Sequence, residues 1–185
     1  MAVGVVKFSP AVALAAIMRI VRDATDNIYM TMKMMYVADK LHFKKTGRFM
    51  FGDEYWSMEA GATPSGAYDL IKFVRGDGAD IGLPDAKSFI SVDADRHRIT
   101  LLKDVPEGRL SEFVKQCLDS VISDHTQNNR TFSYWWRLAH DDAWESARDA
   151  SRGETVKMDE REIAKTIPEN EELLALLDDP EVDRC

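Results

Sequence analysis

The sequence predicts a mainly α-helical fold: a helical domain of about five to six helices with a small antiparallel β-hairpin. Three observations carry this reading. Apolar residues recur at three- and four-residue spacing over several long stretches, as one face of a helix requires. Helix-boundary chemistry brackets those stretches, with Ser9-Pro10 at one start and Gly47 at one stop. Strand-like runs are short, and the clearest pair, SFISV (88–92) and RITLL (98–102), flanks the turn-forming DADRH.

The first helix is expected from Pro10 to about Arg22, burying Leu14, Ile17, Met18 and Val21. Its apolar run AVALAAIM (11–18) is broken by Arg19 and Arg22 and preceded by Lys7 alone. A soluble helix fits this better than a signal peptide, which needs a basic leading region. Thr25-Asp26 offers the cap of a second helix with Ile28, Met32, Met35, Ala38 and Leu41 as apolar positions. Lys44 and Lys45 fall in its last turn, where cations meet the carbonyl end of the helix dipole. Met30, Met32, Met34 and Met35 go all round this helix. Two readings are open: an adaptable protein-binding face made of flexible thioethers, or a helix buried on two sides by its own domain.

A short extended stretch at 53–58 leads to GATPSG (61–66), read as a turn. A third helix follows, with Ala67, Leu70, Ile71 and Val74 apolar. RGDGADIGLPDA (75–86) has the composition of a mobile loop. The fourth helix, Leu110 to about Asp124, has the strongest period, with Phe113, Val114, Cys117, Leu118, Val121 and Ile122 on one face. A fifth is expected over Ser133 to about Ala150, carrying Trp135, Trp136, Leu138 and Trp144, and a short sixth over Asp159 to Ile167. His140 and Trp144, at i and i+4, would share one side of the fifth helix, either as a core pair or as a binding surface.

Charge divides the chain in two. The total is −8, and residues 168–185 hold seven acids against one base. Residues 1–167 are therefore close to neutral, and 168–185 form an acidic tail in which Leu173, Leu174, Leu176 and Leu177 make a short apolar knot. This balance disfavours a general nucleic-acid or anionic-membrane binder. No stretch is long enough to span a bilayer. Cys117 lies in a helical apolar pattern and Cys185 is the last residue, so two free thiols in a reducing cytoplasm are expected rather than a disulfide.

Motifs for chemistry are sparse. Gly76, Gly78 and Gly82 follow a helix rather than a strand, and Asp77 and Asp80 would repel a phosphate. The same aspartates lack calcium-loop spacing. His42, His97, His125 and His140 form no HExxH, and no cysteine pair offers a zinc corner. No GxSxG elbow is present. Neither cofactor nor metal is expected. His140 with Asp141 or Asp142 is the only base–orienter candidate, and it defines a small-hydrolase alternative. A second alternative is an autoregulatory DNA-binding repressor using Lys33, Lys40, Lys44, Lys45 and Arg48.

Two stretches then point to a family. KMMYVADKLHFKKTGR (33–48) supplies Lys33, Tyr36, Ala38, Asp39, Gly47 and Arg48, and YWSMEAGATPSGAYDLI (55–71) supplies Gly61, Pro64 and Tyr68. In this order the chain resembles the SocA-like antitoxin domain, also called the Panacea domain, over roughly residues 10–167. A later His-to-Trp element looks partly kept in His140 and Trp144, one residue closer than in the family, and Ala62 stands where the family has proline. The resemblance implies a bacterial or phage antitoxin, not an enzyme, that neutralises a cognate toxin by direct protein binding. The SocA type acts as an adaptor handing its toxin to a AAA+ protease. Met34, Asp39, Trp56, Tyr68, His140, Trp144, Leu173 and Leu177 are the candidate partner-binding positions.

Overall fold

A computed structural model describes residues 7–179. Eight α-helices among them run α1 (Pro10–Asp23), α2 (Ile28–Thr46), α3 (Ser65–Arg75), α4 (Glu112–Gln127), α5 (Phe132–Leu138), α6 (Asp142–Ala150), α7 (Glu160–Lys165) and α8 (Glu171–Asp178). Two antiparallel hairpins complete the fold, β1 (Tyr55–Met58) with β2 (Gly61–Pro64) and β3 (Ile90–Asp93) with β4 (Arg98–Leu101). The mainly α expectation and the 88–102 hairpin hold. The helix count exceeds five to six because the expected fifth helix is two helices and the leucine knot forms one of its own.

The centre of the fold is α2. Eleven of its nineteen residues are buried, including Met32, Met34, Met35, Tyr36 and Phe43. It packs against α1 and α4 towards one side, and against β2, α5, α7 and α8 towards others. That resolves the ring of methionines: a helix enclosed by its own domain is apolar all round. Asn27, rather than Thr25-Asp26, caps it, accepting from the Met30 N–H at 3.0 Å. Gly47 ends it at φ +68°, where a residue without Cβ avoids the left-handed penalty.

Two apolar clusters meet at α2. The larger joins Leu14, Ile17 and Met18 of α1, Leu70 and Ile71 of α3, Val114, Leu118 and Val121 of α4, and Trp135. The smaller gathers Tyr36, Phe43, Phe49, Tyr55, Ala139, Met158, Ile163, Ile167 and Leu173. Cys117 is a free thiol in the larger cluster, and burial pushes its pKa up to about 11, which keeps it protonated and unreactive. Cys185 lies outside the described residues.

GATPSG is not a turn. Its first four residues are strand β2, with Tyr55 opposite Pro64 and Met58 opposite Gly61. The hairpin is closed by Glu59-Ala60, a two-residue link without the Asn-Gly or Asp-Gly signature, so local sequence gave little warning of it. Proline at its end is tolerated because a strand's last position can dispense with an N–H donor. Just before the hairpin, Asp53 accepts from the Gly66 and Ala67 N–H groups at 2.7 and 2.8 Å, placing a carboxylate at the positive start of α3. Within 75–86, residues 84–86 enter a 3-10 turn spanning Pro84–Ser88.

Candidate functional site: an aromatic ladder on a buried polar scaffold

The expected fifth helix breaks at 139–141. Asp141 is the reason: its Oδ1 accepts the Trp144 N–H at 3.1 Å, capping α6. Its Oδ2 accepts from the Tyr36 hydroxyl and the Lys40 ammonium, each at 2.8 Å. One carboxylate thus starts α6 and ties it to α2. Burial, reinforced by the neighbouring Asp141 charge, raises the Tyr36 pKa well above its usual value, so the phenol stays a donor.

Although the helix is broken, the ring spacing survives. Phe132, Trp136, His140 and Trp144 lie four residues apart and form a continuous ladder. The centroids are 5.6 Å apart for Phe132–Trp136, 4.1 Å for Trp136–His140 and 4.2 Å for His140–Trp144. The Trp136 and His140 planes differ by only 23°, a stacked arrangement. His140 Nδ1 lies 2.7 Å from the Trp136 carbonyl oxygen. A carbonyl can only accept, so Nδ1 carries the proton and donates.

The ladder rests on the β1–β2 hairpin. Trp144 Nε1 donates to the Met58 carbonyl at 2.9 Å, and Arg148 Nη1 donates to the Ser57 carbonyl at 3.3 Å. Gly61 permits the contact, because a Cβ there would fall 2.7 Å from His140 Cε1 and 3.0 Å from the Ala139 oxygen. The Ala62 N–H donates to that same oxygen at 2.8 Å. A proline at 62, as in the family pattern, has no such donor, so alanine here adds a bond between hairpin and ladder. Trp144 is half-buried, while Phe132 and Trp136 are exposed at 38% and 37%. Few large apolar side chains in the described residues are as open.

Below the ladder lies a polar core. Lys33 is buried and donates to the Ala62 carbonyl at 3.0 Å and to Thr63 Oγ1 at 3.1 Å. No carboxylate pairs with it among the described residues, and burial lowers its pKa to about 7. Asp39 is buried too, accepting from the Met50 N–H at 2.5 Å and the Tyr55 hydroxyl at 2.7 Å. Burial raises its pKa to about 8, against the opposing pull of those two bonds.

The sequence-selected positions therefore separate. His140 and Trp144 come together in the ladder. Met34 and Asp39 are fully buried and present no surface in this conformation. Trp56 is half-buried on β1 and bridges to Lys157; Tyr68 is half-buried on α3 with Lys72 Nζ 5.3 Å from its ring centre. Leu173 is buried in the smaller cluster and Leu177 is half-buried against it. Phe132 and Trp136 were missed as partners of His140, although their i, i+4 spacing is readable. Nothing in the sequence marks Lys33 as buried.

Each alternative chemistry loses part of its candidate set, while Asp142, Lys45 and Arg48 stay exposed. Both Asp141 oxygens are committed to the scaffold, so that residue does not orient His140 as a base. Of the five candidate DNA-binding cations, Lys33 is buried, Lys40 pairs with Asp141 and Lys44 pairs with Glu169 at 2.9 Å. No cluster of three His, Cys, Asp or Glu side chains suited to a metal occurs among the described residues. No described helix is long and apolar enough to cross a membrane.

The fold and this site define a helical scaffold that displays an aromatic ladder on its β1–β2 hairpin. The family profile for "Antitoxin SocA-like, Panacea domain" matches residues 31–145. The chain belongs to that family. The match runs from α2 into α6 and so contains the β1–β2 hairpin and the whole ladder. Comparison with curated proteins and with solved structures finds no match.

Proposed function

We propose that this chain neutralises a cognate toxin by direct protein binding, with the Phe132–Trp136–His140–Trp144 ladder as the contact face. The observation that carries the proposal is the exposure of Phe132 and Trp136 on a stack fixed from behind by the hairpin. Rigid aromatic groups lose little entropy on docking and dominate binding energy at protein interfaces. Antitoxin family membership supplies the kind of partner.

Co-expression with the product of the adjacent toxin gene tests this. The native chain should restore growth. Trp136→Ala and Phe132→Ala should weaken toxin binding by about 2 kcal/mol each, typical of interface aromatic truncations. Phe132→Ala should leave the thermal transition nearly unchanged, and Trp136→Ala should lower it modestly through the lost stack on His140. A stable Trp136→Ala chain that still rescues growth and binds equally well would remove the ladder from the interface. A harmless neighbouring protein would remove the antitoxin reading itself.

The narrower form is delivery of the captured toxin to a AAA+ protease, as in the SocA type. It requires that toxin half-life shorten when this chain is present. An unchanged half-life with growth rescued would mean that blocking alone suffices.

A further inference from the structure

The acidic knot folds back on the domain as α8, and the way it is held suggests what its seat is for. Leu173 is buried among Phe43 and Phe49 beside α2 and Ile163 and Ile167 of the α7 region. Leu176 lies across Gly47, where an added Cβ would strike its side chain, yet it remains 38% exposed. Charged groups clamp both ends: Lys44 pairs with Glu169 at 2.9 Å before the helix, and Arg161 pairs with Asp178 at its end. The Asn170 amide donates to the Ala164 and Lys165 carbonyls at the end of α7, each at 3.1 Å. The seat is therefore an apolar groove with basic ends, complementary to an acidic leucine-rich helix.

The occupant is a short helix held by buried Leu173, half-buried Leu174 and Leu177, and the polar contacts at its ends. Eight residues are too few for a helix stable without docking. Its first turn has no side-chain cap, although Glu171 and Glu172 there favour the helix dipole. Glu169 and Asp178 are solvent-exposed at their side chains, and exposed pairs contribute little to stability. One of the four leucines is fully buried. Lys45 and Arg48 stay exposed near Gly47 without an ion pair among the described residues.

We propose that the groove between the C-terminal end of α2 and α7 is a docking site for an acidic, leucine-rich amphipathic helix of a partner protein, with α8 as a resident occupant that the partner displaces. Helix-in-groove recognition reads the same features: apolar side chains at i, i+3 and i+4, and charges complementary to the rim. The surface is distinct from the aromatic ladder, and its test needs no toxin, so either proposal can fail alone.

A fluorescently labelled peptide of residues 168–179 serves as the probe, against the full chain and against a full chain carrying Leu173→Asp and Leu177→Asp, which unseats α8. A tethered helix competes at an effective concentration on the order of millimolar, so the unseated chain should bind the peptide about tenfold or more tighter. Adding Lys44→Glu and Arg161→Glu should reverse that gain, and a probe peptide with both leucines changed should not bind. In the unaltered chain, α8 amides should exchange with solvent about 100-fold faster than those of α2, as local opening requires. An unseated chain that keeps its cooperative unfolding but ignores the peptide would overturn the docking site. Exchange in α8 as slow as in α2, or loss of cooperative folding on unseating it, would make α8 a permanent part of the core and overturn displacement.

Discussion

Tyr36 donates its hydroxyl to Asp141 at 2.8 Å, joining the middle of α2 to the first turn of α6 across 105 residues of chain. The same carboxylate caps α6 and receives Lys40, so it is a junction rather than a pairwise contact. Removing one spoke and removing the hub should differ. Tyr36→Phe deletes one hydrogen bond and is expected to cost about 1 kcal/mol. Asp141→Ala removes the cap, leaves the Tyr36 hydroxyl and Lys40 without their acceptor, and should cost about 3 kcal/mol. Urea unfolding of both variants reads the difference. An Asp141→Ala chain no less stable than Tyr36→Phe would show that the junction is unimportant.

Gly61 is where the hairpin and the ladder touch. Its φ is +96°, outside the range that residues with Cβ adopt comfortably, and His140 fills the space a side chain would need. Gly61→Ala should therefore destabilise by about 2 kcal/mol or more through backbone strain and displacement of the imidazole. Because His140 sits between two indoles, the tryptophan emission should shift as well. Gly76→Ala is the control. Its φ is also positive, but nothing lies within 4 Å, so it should show strain alone and no spectral change.

Much of this fold is legible because helix chemistry is local. Pro10, Ser111 and Asp159 begin helices, and Gly47 and Gly76 end them. The β3–β4 hairpin announces itself through β-branched alternation. What escaped depended on distant partners. The break at Asp141 was hidden because rings spaced by four continue an apparent helical period across it. Strand β2 was hidden because Gly-Ala-Thr-Pro has little strand propensity, and pairing with Tyr55–Met58 holds it in place. The methionine ring of α2 allowed two readings because burial on two sides and display to a partner leave the same apolar pattern. The site was half legible: His140 and Trp144 stood out, while Lys33 and Lys40 looked like surface cations until their acceptors were placed.

The pairing of those cations makes a further expectation about nucleic acid. With Lys33 enclosed and Lys40 and Lys44 engaged, Lys45 and Arg48 are left exposed from the candidate patch, on a chain of net charge −8. Each phosphate neutralised contributes about 0.9 to the slope of log affinity against log salt, so two contacts give weak binding with a shallow slope of about 2. A gel-shift titration with the upstream promoter should show no complex at physiological salt. A sequence-specific shift there would require a basic surface formed by some other arrangement and would revive the repressor alternative.

The buried Lys33 and Asp39 should write opposite slopes into the pH dependence of stability. Asp39 has a pKa of about 8 in the folded chain against an ordinary 3.8, so the folded state holds the extra proton between about pH 4 and 8. Stability from this group is therefore greatest at the acid end and falls as pH rises through that window. Burial raises the Asp53 pKa as well, which adds to the same slope. Lys33 behaves in the reverse sense. Its folded pKa is about 7 against 10.5, so the unfolded state holds the extra proton between about pH 7 and 10.5, and stability rises with pH there. Asp39→Asn should remove the fall attributable to Asp39, and Lys33→Met the rise attributable to Lys33. The measurement is the difference in unfolding free energy between native and variant chains at pH 5, 7 and 9, which cancels the other titrating groups. For Asp39→Asn the difference should change between pH 5 and 7; for Lys33→Met it should change between 7 and 9. A difference flat with pH for either variant would mean that its group keeps an ordinary pKa in the folded chain, and that water reaches it more freely than its packing allows.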